Sequence, residues 1–126
     1  MSTFSAHQMP LLSVSSSRSS ELFCTASQDN TLKVWSIRTV ATCKQTLISH
    51  TNYVVTSAFS LNDQYLFSGS KDESLKLWNI STGDIECSIN AHNNTVFKID
   101  HHPTEYSILT CGGDGMVCYW EYDLPS

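Results

Sequence analysis

At 126 residues, with 40% apolar content, the chain is long enough for one domain with a buried core and too hydrophobic to be disordered. A formal charge of -5 at pH 7, with seven scattered Lys and Arg, gives no field that would draw it to phosphate and argues against nucleic acid as a partner. No apolar run approaches the roughly 18 residues of a membrane span, and the N-terminus lacks a basic stretch followed by an apolar one, so a cytoplasmic or nuclear protein is expected.

In chain order, Met1 to Ser5 reads as the stub of an outer strand. Ser13 to Ser20 is rich in serine and carries Arg18, which reads as a loose, exposed loop between two strands. The middle of the chain is clearest. Tyr53 to Ser60 is rich in β-branched and aromatic residues and ends at Leu61-Asn62-Asp63-Gln64, after which Tyr65 to Ser70 forms a second strand. Lys71-Asp72-Glu73 supplies a polar turn, Ser74 to Ile80 alternates apolar and polar positions, Ser81-Thr82-Gly83-Asp84 turns again, and Ile85 to Asn90 makes a fourth strand. Four strands joined by tight turns predict an antiparallel meander sheet. Further on, His101-His102-Pro103-Thr104-Glu105 fills a link, its proline ending a strand by removing a ladder donor. Cys111-Gly112-Gly113-Asp114-Gly115 is a tight turn, since no strand and helix flank it as a phosphate cradle requires.

A ruler runs through these elements. His7, Asp29 and Trp35 recur as His50, Asp72 and Trp78 and again as His92, Asp114 and Trp120, with 22 residues from His to Asp and 6 from Asp to Trp in every set. The step from Trp to Trp is 43 and then 42 residues, the period of a four-stranded propeller blade at about 40 to 45. The expected architecture is all-β, with three blades over about 6–48, 49–90 and 91–126 in a single domain.

Three copies of Ser/Thr-x-x-x-Asp-x-x-x-x-x-Trp, at Thr25, Asp29 and Trp35, at Ser68, Asp72 and Trp78, and at Thr110, Asp114 and Trp120, resemble the WD-repeat β-propeller family. The dipeptides that mark the family are replaced by Ala6-His7, Ser49-His50 and Ala91-His92, and by Trp35-Ser36, Trp78-Asn79 and Trp120-Glu121. The resemblance implies that each His bonds to the Ser or Thr and to the Asp of its own set, with the Trp joining, as a structural latch. It also implies a protein-interaction scaffold whose partner-facing residues here are Gln28, Tyr53, Lys71, Asn94, Thr95 and Gly113. Propellers typically have about 4 to 8 blades, so three predict a fragment or short variant, or a subunit whose ring is completed by further repeats or another chain. The open faces of such an arc would be apolar and would invite partners.

Ser/Thr, His and Asp together are also the ingredients of a hydrolase triad. An active site is needed once, however, whereas these sets recur in every unit, so they read as latches and the protein as no enzyme. His101 and His102 are adjacent in a strand and point to opposite faces, which disfavours a metal site with His92 and Asp100. The five cysteines show no Cys-x-x-Cys pair and read as small buried thiols in strands, and no cofactor is expected. Asn79-Ile80-Ser81 and Asn93-Asn94-Thr95 match glycosylation acceptors only if the chain is secreted. Trp35-Ser36-Ile37-Arg38 is similar to the family's Trp-Asp-x-Arg segment without its Asp, so Arg38 carries an alternative expectation, a substrate-recognition or adaptor subunit of a cullin ubiquitin ligase or similar modifying enzyme.

Overall fold

A computed structural model describes residues 3–39 and 42–124. These residues form three antiparallel sheets and no helix. The first sheet runs β1 (Leu11–Ser16), β2 (Leu22–Ser27), β3 (Thr31–Ser36) and β4 (Cys43–Ile48), each strand beside its predecessor. The second repeats the order in β5 (Val54–Phe59), β6 (Tyr65–Ser70), β7 (Leu75–Asn79) and β8 (Ile85–Ile89). The third holds β9 (Val96–His101), β10 (Ser107–Gly112) and β11 (Val117–Glu121).

The hairpin between the second and third strand of each sheet is built the same way. The Asp carboxylate accepts the N–H two residues on, Asp29 from Thr31 at 2.9 Å, Asp72 from Ser74 at 2.9 Å and Asp114 from Met116 at 3.0 Å, which is how Asp closes a turn onto its own backbone. The residue between takes the left-handed conformation, with φ of 73° at Asn30, 75° at Glu73 and 79° at Gly115. Asn and Gly adopt it readily, whereas Glu73 does so at a cost in strain.

Strand alternation gives each sheet two faces. One carries Ser/Thr and Trp of the repeated set and is called the latch face; the other is the plain face. Cys24, Leu32, Val34 and Leu47 on the plain face of the first sheet pack against Leu66 and Trp78 on the latch face of the second. Phe67 and Leu75 on the plain face of the second pack in turn against Ile99, Ile108 and Trp120 on the latch face of the third. Near the innermost strands, Ser15 and Ser57 share a hydroxyl hydrogen bond of 2.8 Å, and Ile99 N–H donates to Thr56 Oγ1 at 3.2 Å.

At the far end from the Asp turns, Arg18 in the β1–β2 turn reaches across to the third sheet. Its guanidinium donates to the carbonyls of Pro103 and His102 at 3.1 and 2.9 Å and lies 2.8 Å from His101 Nδ1. The Arg18 and Ser19 N–H groups donate to the Asp63 carboxylate of the second sheet, both at 2.8 Å. Tyr122 Oη bonds to His101 Nε2 and accepts the Leu61 N–H at 3.0 Å.

These contacts correct three expectations. Ser13 to Ser20 is not a loose loop: Ser13 to Ser16 belong to β1, and buried Ser17 accepts the Leu22 N–H at 3.0 Å, so the serines close a tight turn. Met1 and Ser2 lie outside the described residues, and Thr3 to Ser5 are in no strand, because Phe4 lies on Trp35 with ring centroids 4.9 Å apart instead of lining up along a sheet edge. All five cysteines are in strands but only Cys24 is buried; Cys43 and Cys87 are exposed because they sit on outermost strands.

Gly69 in β6 lies between Thr56 of its own sheet and Val96 of the third. A Cβ there would sit 2.7 Å from both Thr56 Cγ2 and Val96 Cγ1. Gly69→Ala is expected to force β9 away and cost about 1–3 kcal/mol, read as a lower urea midpoint with unchanged slope.

Candidate functional site

The three sets come together as four-membered polar chains, one per sheet. In the second, Trp78 Nε1–H can only donate, and it donates to Ser68 Oγ at 2.8 Å. Ionised Asp72 can only accept, so the hydrogen between it and His50 Nδ1, 2.8 Å away, belongs to the ring. The neutral ring therefore carries its one proton on Nδ1 and offers Nε2 as an acceptor to the Ser68 hydroxyl hydrogen at 2.6 Å. The donor-only indole and the acceptor-only carboxylate thus stand at the two ends of one chain of bonds. In the first set the same links measure 3.0, 2.8 and 2.7 Å through Trp35, Thr25, His7 and Asp29. Through Trp120, Thr110, His92 and Asp114 they measure 2.9, 2.9 and 3.0 Å.

Burial and charge follow from these bonds. Burial pushes the Asp72 carboxyl up, but hydrogen bonds from the Ser74 hydroxyl, His50 and the Ser74 N–H, with the His50 charge, outweigh it and bring the pKa down to about 2. Asp29 is lowered against its own burial by Thr31 and His7, and Asp114 is lowered chiefly by the Asn93 N–H. His50 is lowered because burial disfavours its charged form more than Asp72 favours it. Burial pushes the Cys24 thiol up to about 12, so it is an inert core group.

The latches pin one end of each sheet, where the β2–β3, β6–β7 and β10–β11 turns meet the segments leading into β1, β5 and β9. A repeated backbone bond ties these together: Gln28 N–H to Pro10 O at 3.0 Å, Lys71 N–H to Tyr53 O at 2.8 Å, and Gly113 N–H to Thr95 O at 2.9 Å. The candidate residues of this end are therefore neighbours within each sheet. Tyr53, Lys71, Asn94 and Gly113 are exposed, Gln28 is half-buried, and the Lys71 ammonium lies 5.3 Å from the Tyr53 ring centre. Thr95 is buried and cannot face a partner, because its side chain turns inward at the start of β9. Arg38 lies beyond β3 at the opposite end, exposed, 3.4 Å from Glu21.

Sequence reasoning missed Asn52, whose Oδ1 accepts the Tyr53 N–H at 2.8 Å as Asn94 Oδ1 accepts that of Thr95 at 2.7 Å. The signal was there to read, since an Asn follows two residues after both His50 and His92. His102 Nδ1 accepts the N–H groups of Thr104 and Glu105 at 3.1 and 3.0 Å, so this His pair shapes a turn. Among the described residues no group of His, Cys, Asp and Glu is placed to hold a metal ion.

Stacked meander sheets with a latch in each define a set of β-propeller blades. Residues 1–36, 41–79 and 83–121 each match the WD domain, G-beta repeat family, and the chain belongs to that family. It is 25% identical over 115 residues to the WD repeat domain-containing protein 83 homolog of Dictyostelium discoideum, an alignment covering 90% of this chain and 35% of that protein. It is 24% identical to human striatin-4 over 94% of this chain and 19% of that protein. Against the nuclear distribution protein PAC1 of Arthroderma otae it is 40% identical over 52 residues, 41% of this chain and 11% of the other. The chain thus spans about a third or less of the length of these relatives.

Ser68→Ala leaves the Trp78 N–H and His50 Nε2 without partners, so a loss of about 1–3 kcal/mol is expected in denaturant melts, with Ser68→Thr close to the parent. Stability should also fall with pH in two windows. Below 6.5, the ordinary His value, the unfolded chain protonates His50 while the folded chain resists, which costs up to about 1.4 kcal/mol per pH unit until the folded value is reached. Asp72 stability is present above the ordinary carboxylate value and is lost as pH falls toward about 2. Thermal melts from pH 8 to 3 check both, and His50→Asn should flatten the upper window.

Proposed function

We propose that this protein is a non-catalytic scaffold that binds other proteins through the latch-pinned end of its blades. The observation that carries the reading is the fate of the Ser/Thr hydroxyls. Thr25, Ser68 and Thr110 are buried, and each is committed to an indole on one side and an imidazole on the other, so none is a free nucleophile. A hydrolase needs that hydroxyl exposed to substrate beside an oxyanion site. The same network holds Tyr53, Lys71, Asn94 and Gly113 at one end on short, hydrogen-bonded turns. An exposed aromatic beside a cation on a rigid turn suits an interface anchor, since Tyr supplies contact area at little cost in side-chain entropy. Five free cysteines favour action in a reducing compartment, the cytoplasm or nucleus.

The reading is tested by affinity purification with quantitative mass spectrometry, comparing the parent with Tyr53→Ala/Lys71→Ala and with Arg38→Ala. Tenfold or greater depletion of specific proteins by the first variant alone is expected. An unchanged set removes the assignment of this end, and depletion by Arg38→Ala alone transfers the function to the opposite end, as an adaptor subunit would require.

A further inference from the structure

Both contacts between sheets obey one rule, in which the latch face of the following sheet covers the plain face of the preceding one. Applied to three sheets, the rule leaves two faces over: the latch face of the first and the plain face of the third. Strand register shows what each lacks. Leu109 and Tyr119 form the cross-strand pair that Phe67 and Leu77 form in the second sheet and Cys24 and Val34 in the first, and Val117 matches Leu75 and Leu32. Cys24, Val34 and Leu32 are fully buried beneath the next sheet, and Phe67 and Leu75 nearly so, whereas Leu109, Tyr119 and Val117 are 44%, 61% and 69% exposed. Phe97, 54% exposed, extends the patch into β9. On the first sheet, Val14 opposite Thr25 occupies the place of Ser57 opposite Ser68 and Ile99 opposite Thr110. Ser57 and Ile99 are buried against a preceding sheet, but Val14 is 67% exposed, while among the described residues Phe4 lies over Trp35 and helps to keep it at 5% exposure.

We propose that these two faces are each other's partners, so that the plain face of the third sheet receives the latch face of the first sheet of a second copy, head to tail. The occupant is named by the two interfaces already inside the chain, each of which joins these same two kinds of face. Two copies bring together six sheets, within the range of about 4 to 8 at which blades close a ring, whereas three lie below it. Two equivalent head-to-tail contacts then satisfy all four free faces, and the assembly stops growing. The proposal shares only the fold with the scaffold reading, because it concerns the blade faces and not the loop end. Either can fail alone.

Sedimentation equilibrium of the full chain from about 1 to 100 µM should show a species of twice the chain mass at the upper end. Leu109→Glu/Tyr119→Glu and, separately, Val14→Glu should each weaken self-association about 100-fold or more, with circular dichroism unchanged since these side chains are exposed on their own chain. An equimolar mixture of the two variants should recover the dimer, because one of its two contacts joins unaltered faces. If the double change disturbs folding, Val117→Lys replaces it. A parent chain that stays monomeric throughout overturns the proposal, as does a dimer indifferent to both variants or a mixture that fails to recover. Capture of loop-end partners lost in Tyr53→Ala with the dimer intact bears on the scaffold reading alone.

Discussion

The structure depends on a polar chain that is one-way at both ends. Trp78, Trp35 and Trp120 can only donate, the carboxylates of Asp72, Asp29 and Asp114 can only accept, and a neutral imidazole and a hydroxyl complete the chain between them. The hydroxyl passes its hydrogen to imidazole, the imidazole passes its own to carboxylate, and the carboxylate uses its remaining capacity on the turn that leads back to the Trp strand. A side chain near the end of a strand is thereby joined to the turn at that strand's start. Repeating the chain three times gives three loops whose positions relative to their sheets are alike, and similarity of loop placement is what a recognition surface needs.

The Trp also links the interior of one sheet to its neighbour. Trp78 presents its ring to the plain face of the first sheet while its N–H is held inside its own, so packing between sheets and polar bonding within a sheet act on the same residue. Trp120 does the same between the second and third. Trp35 has Phe4 in place of a preceding sheet. Loss of an indole would therefore disturb both levels together, and contributions measured by single substitutions here would not add.

The repeat, the sheet order and the residues of the latch were legible in the sequence because constant spacing becomes constant register once the strands are laid side by side. The predicted strands of the second unit differ from the observed ones by a residue or so at their ends. The serine-rich stretch misled because composition cannot tell a solvated serine from one that closes a turn. Ser17 and Ser60 have the same role in successive repeats, accepting the N–H of Leu22 and of Tyr65, and that equivalence was hidden among the other serines. Thr95 misled for a reason of orientation: it lies in the loop beside exposed Asn94, but its side chain is buried, as is that of Val96 after it. The bridge from Arg18 to His101, His102 and Pro103 had no signature, since it joins residues more than 80 positions apart that share no pattern.

That bridge has a mechanical consequence. The outer sheets are connected through the middle one by apolar packing and by the single hydrogen bonds of Ser15 to Ser57 and of Ile99 to Thr56. Arg18 spans directly from the first to the third, and Asp63 receives the backbone beside it, so the turns of all three sheets are joined at this end. Twisting either outer sheet must stretch hydrogen bonds of fixed direction in addition to shifting side chains past one another. The end of the molecule remote from the latched loops thus acts as a tie-rod between the first and third sheets.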